Sequence, residues 1–146
     1  MKTEIAFWDT SALVPLCCSQ SGSTVRTRAL LRRFGQPVIW WGTAVEIHSA
    51  LSRLHEEETI SDRELINSIK RWEAIESISR EITPTEQVKR LARSLPGQYR
   101  IRSLDAFQLA AALAWCQEQP RRRPFICLDG RLAQAAEKAG FNVYPQ

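Results

Sequence analysis

Two kinds of hydrophobic pattern alternate along the chain. Short apolar runs closed by polar or turn-forming residues read as buried strands, and stretches with apolar positions every three or four residues read as helices. The first run, Ile5-Ala6-Phe7-Trp8, ends at Asp9, and Thr10 or Ser11 can cap a helix from about Ser11 to Cys18, with Pro15 near its first turn. Ser19 to Gly22 reads as a turn. A helix from about Ser23 to Phe34 follows, with Val25, Ala29 and Leu30 inward and Gly35 as its stop. Pro37 to Trp41 reads as the second strand.

Thr43 and Glu46 fit a capping box opening a helix whose inner stripe is Ile47, Ala50, Leu51 and Leu54. Glu56 to Glu58 form its solvated end. Ser61 and Glu64 make a second capping box, leading a helix with Leu65, Ile69 and Trp72 inward, and Ile75 to Ser79 is expected to be a third strand. In Thr83-Pro84-Thr85-Glu86 the pattern is N-cap, proline at the first helical position and glutamate at the third. Its helix carries Val88, Leu91, Ala92 and Leu95, and Pro96-Gly97 is expected to end it. An alanine-rich helix runs from Ser103 to about Gln117, apolar nearly all round and so packed on several sides. After the break at Pro120 to Pro124, Phe125 to Leu128 is a strand ending at Asp129. Gly130 to Ala139 is a helix stopped by Gly140, and Phe141 to Tyr144 is the last strand.

Strands alternating with helices imply an α/β fold, a parallel sheet of four to five strands flanked by helices on both faces, with right-handed crossovers. At 146 residues a single domain over 1–146 is expected. Asp9 then stands at the carboxyl end of a central strand, where open α/β sheets place their ligands.

Composition narrows the class. With 44% hydrophobic and 25% charged residues the chain has the make-up of a soluble globular protein. No apolar run approaches the ~20 residues of a membrane span, and the N-terminus enters a strand with no signal-peptide core, so the expected compartment is the cytoplasm. Cys17, Cys18, Cys116 and Cys127 form no C-x-x-C pair and read as small buried hydrophobes. The net charge of +4 becomes informative only if basic residues surround an acidic site.

Four acids stand out: Asp9, Glu46, Asp105 and Asp129. Singly, each has a plain structural role. Glu46 can complete a capping box, Asp105 lies in a first helical turn where negative charge is favoured, and Asp9 and Asp129 can cap the helices behind their strands. Three of the chain's four aspartates nonetheless fall at strand ends or helix starts, which share one edge of a parallel sheet. Carboxylates converging there repel unless protons or cations neutralise them, and hard oxygen donors suit Mg²⁺ or Mn²⁺.

The motifs resemble those of PIN-domain ribonucleases, specifically the VapC-type toxins of toxin–antitoxin pairs. Asp9-Thr10-Ser11-Ala12-Leu13 resembles the family's first motif, Val45 to Leu51 its glutamate-bearing helix, Leu104 to Ala112 its third motif, and Leu128 to Ala133 its fourth. The resemblance implies a Mg²⁺- or Mn²⁺-dependent endoribonuclease. Asp9 and Asp105 would be the main metal ligands, Glu46 would bind directly or through water, Asp129 would complete the cluster, and Thr10 or Ser11 would orient a carboxylate or water. It further implies an RNA substrate, a cognate antitoxin protein and a homodimer. Many relatives carry histidine where Gln108 stands and a hydroxyl residue where Cys127 stands.

Arg100, Arg102 and Arg131 flank the acids and are candidates for RNA phosphates, whereas Arg121 to Arg123 precede a strand and belong to the opposite edge. Of Trp40 and Trp41, one could stack a base, while adjacent strand residues face opposite ways and at least one is expected in the core. His48 and His55 read as surface residues. Two rivals remain: a non-catalytic RNA-binding or assembly module with the same fold, and a phosphatase with Asp-x-Asp at a strand end. The latter lacks its second acid, because position 11 is Ser11.

Overall fold

The structure, a computed structural model, describes residues 3–19 and 21–146. Met1, Lys2 and Gln20 of the expected N-terminal lead-in and Ser19–Gly22 turn lie outside the described residues. The elements are β1 (Ile5–Trp8), α1 (Thr10–Cys17), α2 (Ser21–Arg33), β2 (Gln36–Trp40), α3 (Thr43–Glu56), α4 (Asp62–Ile78), β3 (Arg80–Ile82), α5 (Glu86–Tyr99), α6 (Ser103–Trp115), β4 (Pro124–Ile126), α7 (Gly130–Ala139) and β5 (Asn142–Tyr144). All strand pairs are parallel, in the order β3-β2-β1-β4-β5. The sheet grows outward from β1 in both directions, so the switch point lies between β1 and β4.

Strand side chains alternate between two cores. Phe7, Val38, Trp40 and Phe125 face one side, packed with buried residues of α5, α6 and α7 such as Val88, Leu95, Leu109 and Leu132. Ala6, Trp8, Ile39 and Ile126 face the other, against Leu13, Phe34, Ile47, Leu51 and Trp72. A sheet covered on both faces needs strands apolar at every position, which is why these strands read as runs rather than alternations. Ala106, Ala110, Ala111 and Ala112 are buried on α6, and their small side chains let it lie close to the sheet. Among the described residues no helix is long and apolar enough to cross a membrane.

Several boundaries and faces differ from expectation for local reasons. The α1 cap is Asp9, whose carboxylate accepts from the Ser11 amide, and Pro15 lies inside that helix rather than in its first turn. Helix α2 turns Thr24 and Thr27 inward, with Phe34 buried just past its end, and leaves Val25 69% exposed and Ala29 exposed as well. The threonine hydroxyls can be buried because Thr24 Oγ1 donates to the Pro15 carbonyl and Thr27 Oγ1 to the Ser23 carbonyl, each at 2.9 Å. Ile75 to Ile78 continue α4, since Ile75 packs beside Trp72, and the third strand is the next segment. That edge strand exposes Arg80 and Glu81, charges that discourage pairing with another chain.

The N-cap of α5 is Thr85 rather than Thr83, with its hydroxyl accepting from the Val88 amide at 3.2 Å. Pro96 does not end that helix. Leu95 and Tyr99 continue its inner stripe to Arg100, which closes it at φ 56. Strand β4 stops at Ile126, before Leu128. The Ser61 N-cap and the Gly140 stop (φ 117) are present as expected: the Ser61 hydroxyl accepts from the Glu64 amide at 3.2 Å, while the Glu64 carboxylate meets that hydroxyl at 3.4 Å rather than closing the box on the backbone.

Candidate active site

The carboxyl edge of the sheet opens into a cleft of about 770 Å³, and Asp9, Glu46, Asp105 and Asp129 all line it. Asp9 follows β1 and Asp129 precedes α7, on either side of the switch point. Glu46 and Asp105 come from the first turns of α3 and α6, whose amino termini point toward the same edge. Asp9 is only 4% exposed and Asp129 is exposed, so the acids run from the floor of the cleft to its mouth.

Ser11 ties the floor together. Its hydroxyl donates to Asp9 Oδ2 at 2.6 Å and accepts from the amides of Leu128 at 2.9 Å and Asp129 at 3.2 Å. One side chain thus fixes the Asp9 carboxylate and the loop that carries Asp129. The pairing of Phe7 with Phe125 and Trp8 with Ile126 brings Cys127 beside Asp9. Its thiol donates weakly to Asp9 Oδ2 at 3.6 Å and lies 3.4 Å from the Asp129 carbonyl. Burial and the Asp9 charge hold this thiol far above its ordinary pKa, so it remains protonated.

Glu46 does not complete a capping box: Gly42 is the α3 N-cap and no side chain caps it. The carboxylate turns into the cleft instead, accepting from Thr10 Oγ1 at 3.2 Å and from Gln108 Nε2 at 3.1 Å. The same Gln108 nitrogen lies 3.0 Å from both Thr10 Oγ1 and Thr43 Oγ1, so two N–H groups serve three acceptors. Gln108 is fully buried, and among the described residues its Oε1 has no hydrogen-bond partner. This amide joins α1, α3 and α6 behind the acids. Its position three residues after Asp105, as a lone polar side chain in an apolar helix, is the sequence signal for it.

Burial and mutual repulsion raise the pKa values of three of the four acids. Burial raises the pKa of Asp9 to about 6, opposed by the Ser11 hydrogen bonds and assisted by Asp105. Burial and then the Asp9 charge raise Glu46 to about 7, against the bonds from Gln108 and Thr10. Asp105 is raised by burial and by Asp129, and Arg102 and Arg131 partly offset this. Neither of those two arginines lines the cleft; the arginine in its lining is Arg53, which the sequence reading did not single out, while Arg100 lies with Arg131 along a separate groove. Among the described residues no group of three His, Cys, Asp or Glu side chains is arranged to hold a metal ion. The donor chemistry still fits Mg²⁺ or Mn²⁺: the cleft gathers the hard oxygens of four carboxylates around few cations, and Mg²⁺ takes one or two carboxylates while keeping several waters.

Trp40 is buried and stacks on Phe107, with centroids 5.4 Å apart and rings 2° from parallel. The chain must turn closely past it, since a Cβ on Gly42 would stand 2.6 Å from Trp40 Nε1. Trp41 meets Trp40 edge-on and is 54% exposed at the cleft wall. His48 is exposed, and His55 Nε2 lies 2.6 Å from Asp62 Oδ1, away from the cleft lining.

No family model matches the chain. It is 26% identical over 151 aligned residues to Ribonuclease VapC45 of Mycobacterium tuberculosis (strain CDC 1551 / Oshkosh), covering 97% of this chain and 95% of that protein. The figures are the same for Ribonuclease VapC49 of Mycobacterium tuberculosis (strain ATCC 25618 / H37Rv). A solved toxin–antitoxin complex from Klebsiella pneumoniae contains a chain of the same fold, at TM-score 0.61 and 18% identity over 85% of this chain and 86% of that one.

Proposed function

We propose that this chain, which is of the PIN-domain VapC type in sequence and fold, is an endoribonuclease toxin dependent on Mg²⁺ or Mn²⁺ and held in check by a cognate antitoxin protein. The observation that carries the proposal is the meeting of four acids from four separate segments in one cleft, where burial raises the pKa of Asp9 to about 6 and that of Glu46 to about 7. The whole-length similarity to proteins named ribonuclease, and a fold shared with a toxin–antitoxin complex, support it.

Asp9 and Asp105 would be the principal metal ligands, with Glu46 and Asp129 completing the set. A bound divalent ion supplies Lewis acidity toward phosphate oxygens and makes water acidic enough to lose a proton near neutral pH. The chain's own residues do the rest. Ser11 holds Asp9 in one orientation, and Thr10 and Gln108 hold Glu46, so the donors need little rearrangement when charge arrives. Arg102 and Arg131 counter the repulsion between the acids and an incoming phosphodiester. Trp41 offers an exposed ring on which a base can stack.

RNA hydrolysis with and without Mg²⁺, with Asp9→Asn as control, tests the proposal; equal cleavage by both proteins would refute it. The absence of a preassembled three-ligand cage among the described residues is also what a non-catalytic RNA-binding module would present. Calorimetric titration separates the two, because silence toward both Mg²⁺ and Mn²⁺ would favour the module.

A further inference from the structure

Beside the acidic cleft lies a second groove, of about 410 Å³, lined by Tyr99, Arg100, Arg131, Gln134, Ala135 and Lys138. It contains three cations and no acid. The ion pairs found among the described residues are Arg33–Glu4, His55–Asp62 and Arg90–Glu118, and none of them uses these cations. On α7, Arg131, Gln134 and Lys138 are spaced i, i+3, i+7 and form one stripe ~10 Å long. That length exceeds the ~3.4 Å axial spacing of phosphates in a stacked strand, so the stripe can meet more than one phosphate.

Helix dipoles account for only part of this arrangement. Lys138 in the last turn of α7 and Arg100 at the end of α5 lie where positive charge is favoured. Arg131, the second residue of α7, lies where it is disfavoured, and its electrostatic partner is Asp105 in the acidic cleft. Arg131 lines this groove and lies two residues from Asp129, which lines the acidic cleft, so the two cavities adjoin at the start of α7. A polyanion whose reacting phosphate lies among the four acids passes directly from Arg131 onto Arg100 and Lys138.

We infer that this groove is the path of the RNA backbone beyond the cleaved phosphate, with Arg100, Arg131 and Lys138 as phosphate contacts. The inference rests on the endoribonuclease reading of the acidic cleft. An acidic protein segment is the competing ligand. RNA is favoured because a divalent ion among the neighbouring carboxylates would draw in a phosphate oxygen, and the stripe continues that line of phosphate contacts.

The test uses the full chain carrying Asp9→Asn, in Mg²⁺, with binding to a fluorescein-labelled single-stranded RNA of mixed sequence followed by anisotropy across a salt series. Arg100→Gly removes a charge at a left-handed position that glycine adopts freely, and Lys138→Gln removes one from an exposed helix face. Each variant should weaken binding severalfold and lower the slope of log K against log salt by ~0.7, with a melting temperature within about 4 °C of the parent's. With Asp9 restored, KM for RNA cleavage should rise severalfold while kcat stays within about twofold, as expected for uniform binding. If the parent cleaves RNA and both variants keep its slope and KM, the groove is not the RNA path. Variants that keep the RNA slope but lose binding to a poly-glutamate peptide overturn it in favour of an acidic protein ligand. A parent that neither binds nor cleaves RNA removes the nuclease reading itself.

Discussion

Replacing Asp9 with asparagine should stabilise the metal-free protein at neutral pH while abolishing its response to Mg²⁺. Asp9 is buried, and its pKa rises from 3.8 to about 6, chiefly through desolvation. A carboxyl whose folded pKa exceeds its unfolded pKa binds protons more tightly in the native state. Its contribution to stability is therefore complete below about pH 4 and is lost as pH rises through about 6. A shift of about two units corresponds to ~3 kcal/mol at most. Asparagine can set its oxygen in the Oδ2 position, where the Ser11 hydroxyl and amide and the Cys127 thiol all donate, but an amide oxygen accepts less strongly than a carboxylate, so a net gain of ~1–2 kcal/mol is expected. For a chain of 146 residues that is ~2–8 °C in Tm at pH 7.5.

Calorimetric or fluorescence-monitored melting of wild type and Asp9→Asn between pH 4.5 and 8, each with EDTA and with Mg²⁺, measures this. The two metal-free curves should converge toward the acid end and separate as pH rises. Glu46, raised to about 7, leaves the variant a residual slope in the same direction. Mg²⁺ should raise the Tm of wild type at pH 7.5 and leave that of the variant nearly unmoved. A variant less stable than wild type at pH 7.5, or a difference independent of pH, would refute the claim that Asp9 is strained by its own charge.

Gln108→Leu should fold, since it replaces a buried amide with an unpartnered oxygen, yet lower RNA cleavage or metal affinity 10- to 100-fold by releasing Glu46; unchanged values in kinetics and Mg²⁺ titration would deny the amide any positioning role. Gly42→Ala should cost ~1–3 kcal/mol in urea unfolding, because the added methyl must displace the stacked Trp40 ring, and an unchanged midpoint would show that the ring can yield. Trp41→Ala should raise KM for RNA about fivefold or more with Tm unchanged, and an unaltered KM would exclude base stacking at that wall.

The helices and strands that bury large apolar residues were legible because burial on both sheet faces forces apolar runs. β1 and β2, and the inner stripes of α3 and α6, follow that pattern closely. Failures arise where polar groups are satisfied internally or where packing overrides local punctuation. Thr24 and Thr27 face inward because backbone carbonyls accept their hydroxyls, something an apolar count cannot register. Pro96 reads as a stop, yet burying Leu95 and seating Tyr99 outweigh the hydrogen bond lost at the proline. The three-residue edge strand β3 carries two exposed charges, and its pairing with β2 is set by backbone geometry rather than by side-chain pattern.

The acids of the cleft were legible from topology alone, since strand ends and helix starts share one edge of a parallel sheet. Their supports were not equally so. Ser11 could be assigned to that edge by its position next to Asp9, but its grip on the Leu128 and Asp129 amides depends on the register of β1 against β4, which no local pattern encodes. Glu46 had a complete local explanation as a helix cap, and that explanation fails because Gly42 is the N-cap and Thr43 Oγ1 accepts from Gln108 Nε2 instead. A carboxylate freed from its own helix terminus and held by groups from two other helices is positioned by the tertiary fold. Asp105 and Gln108, three residues apart on α6, bring a charge and an amide to the same side of that helix. The sheet therefore decides where the acids gather, and the buried amide on α6 decides which way Glu46 points once they are there.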